Sequence, residues 1–308
     1  MPFPDYRCCD VRRACIDIGS NTTRLLVAEC EAGQLHEVHQ DRAFTRIGRG
    51  IASDGTIDAG KIAEVVDVVT AQLEHAVELG SSEVLGVATA AIRRATNGSK
   101  LVSEIESACG LRVRILSGEE EARLAFFGAA GTLGHLPAGA LGVVDVGGGS
   151  SEIIVGTAPH DVGWWFSFAI GSGDLADEYL RSDPPLAAEL AAARSCVASA
   201  LEGIEVPPAL EAVAVGGSAT SLRRLAGSLL DAGAFERSFG LLTAERAVEV
   251  ARRFALDLER VRLLPAGLLI LEAVSNLFGT ALQVGRGGIR EGVLLEAAGG
   301  ASPGAQLL

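Results

Sequence analysis

The sequence predicts an α/β protein built from two duplicated domains. Three observations carry that expectation. Strand-like and helix-like apolar patterns alternate along the chain, which favours sheets covered by helices over an all-α or all-β architecture. A strand–turn–strand unit, Asp17-Ile-Gly-Ser-Asn-Thr-Thr-Arg-Leu-Leu, recurs from Asp145 as Asp-Val-Gly-Gly-Gly-Ser-Ser-Glu-Ile-Ile. The 308 residues are 48% hydrophobic but only 5% aromatic, so the core is made of Ala, Val, Leu and Ile and is large enough to need no covalent staples. The repeat sets domain limits of 1–128 and 129–308, with the last helix, about 290–300, free to pack back on the N-terminal domain.

The elements follow in order. Residues 1–11 are polar, contain Pro2 and Pro4, and are expected to fray. Ala14–Ile18 reads as a strand, Gly19-Ser20-Asn21 as a turn, and Thr22–Ala28 as the returning strand, with a third strand near Leu35–His39. From Asp58 to Leu79, residues Ile62, Val65, Val66, Val69, Leu73 and Val77 recur at helical spacing, and Gly80 stops the helix. Val84–Ala88 is a short buried strand. Asn97 caps a helix over 99–108, which Gly110 ends. A strand over Leu111–Leu116 leads into Ser117-Gly-Glu-Glu-Glu and a helix through Phe127. The Gly-rich segment 131–139 crosses to the second half. There Leu141–Val155 is strand, turn and strand, Trp164–Ile170 is a third strand, and Leu186–Leu201 is an Ala-rich helix. Ala212–Val215 is a strand, followed by Gly216-Gly217 and a helix from Thr220. Further helices are expected over 243–258, 265–278 and 290–298.

Composition narrows the function classes. A net charge of −13 argues against non-specific nucleic-acid binding, which needs a basic face. Long-range attraction also cannot deliver an anionic substrate to such a chain, so a site for one must supply local donors, arginines or a metal ion. The six cysteines include the vicinal Cys8–Cys9 pair but no C-x-x-C, and read as reduced thiols rather than a zinc site. The five histidines show no ligand spacing. Residues 1–10 lack the apolar run of a signal peptide, and the most apolar stretch, Leu263–Val274, is too short to cross a bilayer. A cytoplasmic protein with neither membrane nor nucleic-acid partners is expected.

The repeated hairpin is where chemistry is expected. A Gly-rich turn exposes consecutive backbone N–H groups and lets phosphate oxygens approach. Gly19, Ser20, Asn21 and Thr22 form one such turn, and Gly147, Gly148, Gly149 and Ser150 the other. Two facing turns would clamp a phosphate across a cleft. The Asp at each strand end, Asp17 or Asp145, suits Mg²⁺, a hard cation that takes carboxylate and phosphate oxygens. An isolated Asp-x-Gly hairpin is more often an ordinary tight turn; two in matching context shift the balance toward function.

The chain resembles the exopolyphosphatase and guanosine pentaphosphate phosphohydrolase (Ppx/GppA) family. The residues that carry the resemblance are Ile16-Asp-Ile-Gly-Ser-Asn-Thr-Thr-Arg-Leu-Leu, Val87-Ala-Thr-Ala-Ala-Ile-Arg-Arg-Ala, Leu116-Ser-Gly-Glu-Glu-Glu-Ala-Arg-Leu and Val144-Asp-Val-Gly-Gly-Gly-Ser-Ser-Glu. Ala169-Ile-Gly-Ser-Gly, Ala214-Val-Gly-Gly-Ser-Ala-Thr, Leu264-Pro-Ala-Gly and Ile289-Arg-Glu-Gly-Val follow in the family's order. The resemblance implies a duplicated actin-like (ribonuclease H-like) ATPase fold with its active site between two domains. Longer members carry additional helical domains, and this chain resembles the short form, which favours short polyphosphate chains.

The resemblance also implies roles. Glu121, the last acid of Glu119-Glu120-Glu121, matches the catalytic glutamate that orients and deprotonates water. Asp145 supports Mg²⁺ (or another divalent cation) or the phosphate, Glu152 assists, and Asp17 is a further metal or water-network group. Arg93 matches an arginine that touches phosphate, where a guanidinium offers paired donors; Arg94 is a surface residue. Arg24 faces either solvent or the cleft. Gly216, Gly217 and Ser218 resemble the nucleotide-side loop of actin-like ATPases. Of Trp164 and Trp165, one packs in the core and the other is exposed. The expected reaction is in-line attack of water on a terminal phosphorus of inorganic polyphosphate or guanosine pentaphosphate. Two alternatives stand beside it: an actin-like ATPase or phosphotransferase, and a sensor that binds guanosine polyphosphates with little turnover. The relative preference for the two substrates, the metal and the oligomeric state, a homodimer included, are left open.

Overall fold

The computed structural model describes residues 11–31, 33–51 and 53–299, and the backbone of 306–307. The expected fraying of residues 1–10 and the Cys8–Cys9 pair lie outside the described residues. The strands are β1 (Arg12–Ile18), β2 (Thr23–Glu31), β3 (Gln34–Ala43), β4 (Glu83–Ala88), β5 (Val113–Ile115), β6 (Leu141–Val146), β7 (Ser151–Thr157), β8 (Asp161–Phe168), β9 (Glu211–Val215), β10 (Leu229–Leu230), β11 (Leu282–Val284) and β12 (Gln306–Leu307). The helices are α1 (Ala59–Glu78), α2 (Ala90–Arg94), α3 (Gly98–Cys109), α4 (Gly118–Gly131), α5 (Ser172–Tyr179), α6 (Ala187–Ala200), α7 (Gly216–Ala226), α8 (Ala232–Ala244), α9 (Ala247–Phe254), α10 (Leu258–Phe278) and α11 (Ile289–Ala298).

The chain divides into two compact units. The first runs to Ser117 and is completed by the segment from Ile289 onward; the second is the continuous stretch Gly118–Gly288. Helix α4 therefore lies in the second unit, not in the first as a limit at residue 128 has it. The reason is its apolar face: Ala122, Leu124, Ala125, Phe126 and Ala129 are buried, and α4 packs on β6, β7 and β8.

In the first unit β1 pairs antiparallel with β2, and β2 with β3, while β1 pairs in parallel with β4 and β4 with β5. Helix α1 opens at Asp58, whose Oδ1 accepts the Gly60 and Lys61 amides at 2.8 and 3.3 Å. It buries Ile62, Val65, Val69 and Leu73 on this sheet, whereas Val77 falls on the exposed face. Asn97 stands before α3 but does not cap it. Its side chain instead brackets Ile57, accepting that residue's amide at 2.8 Å and donating to its carbonyl at 2.9 Å. Helix α11 packs on β1 and β2, and its buried Arg290 donates Nη1 to the Leu25 carbonyl at 3.1 Å.

In the second unit β6 pairs antiparallel with β7, and β7 with β8, while β6 pairs in parallel with β9 and β9 with β11. Each sheet is thus a three-stranded meander whose first strand is extended by parallel neighbours. That shared order is the duplication the repeat predicts, in the actin-like topology the family resemblance implies. Helix α10 is the core helix of this unit. Among the described residues it is the one helix long and apolar enough to cross a membrane, and most of it is buried inside the unit. It begins at Leu258 with Asp257 as its cap and carries Pro265 in its interior, not at its start. In place of the expected helix over 243–258 the structure has the shorter α9, the preceding α8 was not expected, and α7 starts at Gly216 rather than Thr220. Trp164 packs against the core and Trp165 is 39% exposed. No disulfide links the described cysteines; burial pushes the Cys15 thiol far up its scale, so it behaves as a small hydrophobe.

Candidate active site

The second unit gathers three carboxylates around one Gly-rich turn. Asp145 near the end of β6 and Glu152 near the start of β7 are direct cross-strand partners. Glu121 comes from the first turn of α4, which lies over the same strands. All three are buried, at 2% exposure for Glu121, 7% for Asp145 and 2% for Glu152. Of the acidic run, Glu119 is exposed and Glu120 half-buried, so only Glu121 enters this group. Like charges facing each other across a ladder are unfavourable. Accordingly the Glu152 carboxyl is held well above the ordinary carboxylate range, first by burial and then by the negative charges of Glu121 and Asp145. Two hydroxyls act in the opposite sense: Ser167 Oγ donates to Glu152 Oε1 at 2.8 Å, and Ser150 also bonds this carboxylate. A fold that buries three acids together is arranged to take up positive charge or a proton.

Glycines bring backbone against this group. Gly147 closes the turn by donating its N–H to the Ser150 carbonyl at 3.0 Å. Gly216 opens α7 with φ 87, and a Cβ there would lie 2.5 Å from Asp145 Oδ1. Only glycine meets both conditions. Gly217 is covered by the guanidinium of buried Arg260 on α10, which leaves no room for a side chain. Ser218 is different: its hydroxyl is buried against Gly267 where α7 meets α10 and has no hydrogen-bond partner among the described residues. Any phosphate-binding part for Ser218 therefore rests on its backbone.

The first unit repeats the turn with a different electrostatic outcome. Gly19 donates its N–H to the Thr22 carbonyl at 3.0 Å, as Gly147 does to Ser150. Asp17 faces Arg24 across the ladder, and Arg24 Nη2 sits 3.1 Å from Asp17 Oδ2. Arg24 thus turns to Asp17 within its own hairpin. Ser20 and Thr22 are buried, and Asn21 Nδ2 and Asp17 Oδ1 are buried without a hydrogen-bond partner among the described residues. Arg93, in α2, is half-buried and donates Nη1 to the Leu116 carbonyl at 2.6 Å; Arg94 is exposed.

Among the described residues no three His, Cys, Asp or Glu side chains are arranged to hold a metal ion. Three residues escaped the sequence reading. Ser167 shows itself only through the ladder register that sets it opposite Glu152. Arg260 and Arg290 are buried cations on helices whose register over the core had to be known first.

Two duplicated meanders, one with an acid-lined glycine turn, define a class by fold, the α/β proteins of duplicated actin-like topology. The chain belongs to the Ppx/GppA phosphatase family, whose profile matches residues 26–300. It is a hydrolase. Exopolyphosphatase 2 of Mycobacterium tuberculosis is 36% identical over 231 residues, covering 71% of this chain and 72% of that protein. Exopolyphosphatase 1 of Mycobacterium bovis is 28% identical over 304 residues, covering 92% and 88%. The crystal structure of the Aquifex aeolicus family member superposes with a TM-score of 0.79 at 28% identity, over 95% of this chain and 99% of that one.

Proposed function

We propose that the protein is an exopolyphosphatase that releases terminal orthophosphate from inorganic polyphosphate by in-line attack of water. The observation that carries this reading is the burial of Glu121, Asp145 and Glu152 around the Gly147–Ser150 turn. Relatives named exopolyphosphatase support inorganic polyphosphate as substrate. Guanosine pentaphosphate is the second substrate of this reading, since its terminal phosphoanhydride presents the same chemistry.

Glu121 is assigned as the general base that orients the attacking water and takes its proton. The amides of the Gly147–Ser150 turn receive the oxygens of the transferred phosphoryl group. Asp145 and Glu152 fit a divalent cation of the Mg²⁺ kind, which takes one or two carboxylates and completes its shell with substrate phosphates and water. Such an ion supplies neutralisation of the charge on the phosphate oxygens when bound. Ser167 and Ser150 keep the Glu152 carboxylate oriented. The Gly19–Thr22 turn and Arg93 are assigned further phosphate contacts of the first unit. Gly216–Ser218 is assigned the same part through its backbone.

The test is phosphate release from tripolyphosphate, long polyphosphate, guanosine pentaphosphate and ATP, with and without Mg²⁺. Glu121→Gln should lower the rate roughly 10²–10⁴-fold. Arg93→Ala should raise KM for polyphosphate about tenfold, the worth of one charge-assisted hydrogen bond. A Glu121→Gln protein as active as the parent removes the mechanism. Turnover confined to ATP points to the ATPase alternative, and tight binding of guanosine polyphosphates without release points to a sensor.

A further inference from the structure

The carbonyls of both glycine turns are tied from outside the turn. In the second unit Ser172 donates its N–H and its Oγ to the Gly147 carbonyl, at 2.9 and 3.1 Å. Gly173 and Asp174 both donate their N–H groups to the Gly148 carbonyl, at 2.9 and 3.0 Å. In the first unit Gly48 donates to the Ser20 carbonyl at 2.8 Å and Arg46 to the Asn21 carbonyl at 3.0 Å. The donors occupy equivalent places, in the segment that follows the third strand of each meander: 45–48 after β3, and 171–174 after β8.

A trans peptide fixes the C=O of one residue and the N–H of the next in opposite directions. Holding the Gly147 and Gly148 carbonyls toward α5 therefore turns the Gly148 and Gly149 amides away from it. Holding the Ser20 and Asn21 carbonyls does the same for the Asn21 and Thr22 amides. Among the described residues these four N–H groups donate no hydrogen bond. Gly149 and Thr22 are buried, where an amide without an acceptor is rare. Such a group calls for an acceptor that the chain itself does not provide.

The clamps are built at some cost to local freedom. Gly171 lies so close to the Gly148 carbonyl that a side chain there would overlap it, and a Cβ on Gly173 would be 2.9 Å from the same oxygen. Arg46 takes φ 48, the left-handed region a non-glycine residue seldom enters, and such outliers gather where geometry is functionally imposed.

We propose that Thr45–Gly48 and Gly171–Asp174 are paired positioning segments, each drawing back two carbonyls so that two amides of its turn stand preset for phosphate oxygens. This assigns a role to the Ile170-Gly-Ser-Gly motif, and it rests on the reading of the turns as phosphate sites. Because the α5 N-terminus is occupied by the turn's own carbonyls, α5 holds the anion only indirectly.

The experiment labels glycine amides with ¹⁵N in the full-length protein and titrates inorganic tripolyphosphate, then orthophosphate, in the presence of a chelator. The Gly148 and Gly149 resonances of the parent protein should shift, saturably. In Gly173→Ala, whose added Cβ displaces the Gly148 carbonyl, both shifts should be lost and kcat/KM should fall at least thirtyfold in a protein that still folds by circular dichroism. Ser172→Ala keeps the backbone donors and should fall only two- to threefold. A parent protein whose Gly148 and Gly149 amides ignore both probes overturns the proposal, whatever the variants do. A Ser172→Ala effect as large as that of Gly173→Ala overturns it as well, because the side chain would then be the active element. Saturable shifts without any phosphate release uphold the positioning and remove only the proposed hydrolysis.

Discussion

Asp17 and Asp145 occupy the same position in two copies of one hairpin and meet opposite partners. Across the ladder Asp17 finds Arg24, whereas Asp145 finds Glu152. One hairpin form is used twice, and the residue at the facing position, Arg24 in one copy and Glu152 in the other, makes a neutral pair of the first and an acid pair of the second. The consequence can be measured. In the folded protein Glu152 keeps its proton to a higher pH than in the unfolded chain. Below the ordinary carboxylate range both states are protonated and the group is neutral toward stability. As pH rises above that range the unfolded chain ionises first, so stability falls until the raised folded-state value is passed. Glu152→Gln has no such slope. Denaturant unfolding in a chelator should show parent and variant equal in acid, with the variant increasingly the more stable toward neutral pH. Added Mg²⁺ should restore the parent protein alone. If the two curves run parallel at all pH values, the three acids do not repel one another as described. Residue types at these positions were legible in the sequence, as were Glu121 and the turn glycines. The partner of each acid was not, because Arg24, Glu152 and Ser167 become neighbours only once strand register is fixed.

At the level of elements, the hairpins and the amphipathic helix α1 could be read because their periodicity was strong and their punctuation conventional. Apart from the short α2, the helices that were missed or misplaced lie in the second unit. There apolar residues cover more than one face, as in α10, and periodicity loses its contrast. Pro265 looked like a helix start because proline favours the first turn, yet it sits inside α10 and is buried. What holds α10 to α7 is close approach: Gly267 admits the Ser218 hydroxyl, and no Cβ fits between them. Gly267→Ala should therefore destabilise the protein by about 1–3 kcal/mol through overpacking. Ser218→Gly removes the hydroxyl it collides with, and the two changes combined should cost less than their sum. Strict additivity in urea unfolding would show that the helices separate without regard to this pair.

For the whole molecule, the division into units sets how stability should be distributed. The second unit is one continuous segment with its own core, and the first draws its covering helix α11 from beyond the second. Expressed alone, residues 118–288 should unfold cooperatively. Residues 1–117 without α11 leave part of β1 and β2 uncovered and should show no cooperative transition by circular dichroism, and adding the 289–308 peptide in trans should recover one. A cooperative transition for 1–117 alone would make α11 dispensable.

The return of α11 also bears on how the polypeptide is made. A ribosome delivers β1 and β2 early, but the helix that covers them emerges only after every residue of the continuous unit. The later-synthesised half is then the first able to mature, while the earlier half waits with an uncovered apolar sheet in a crowded cell. Chaperone dependence during translation should accordingly concentrate on the opening strands and end once the closing helix has left the exit tunnel.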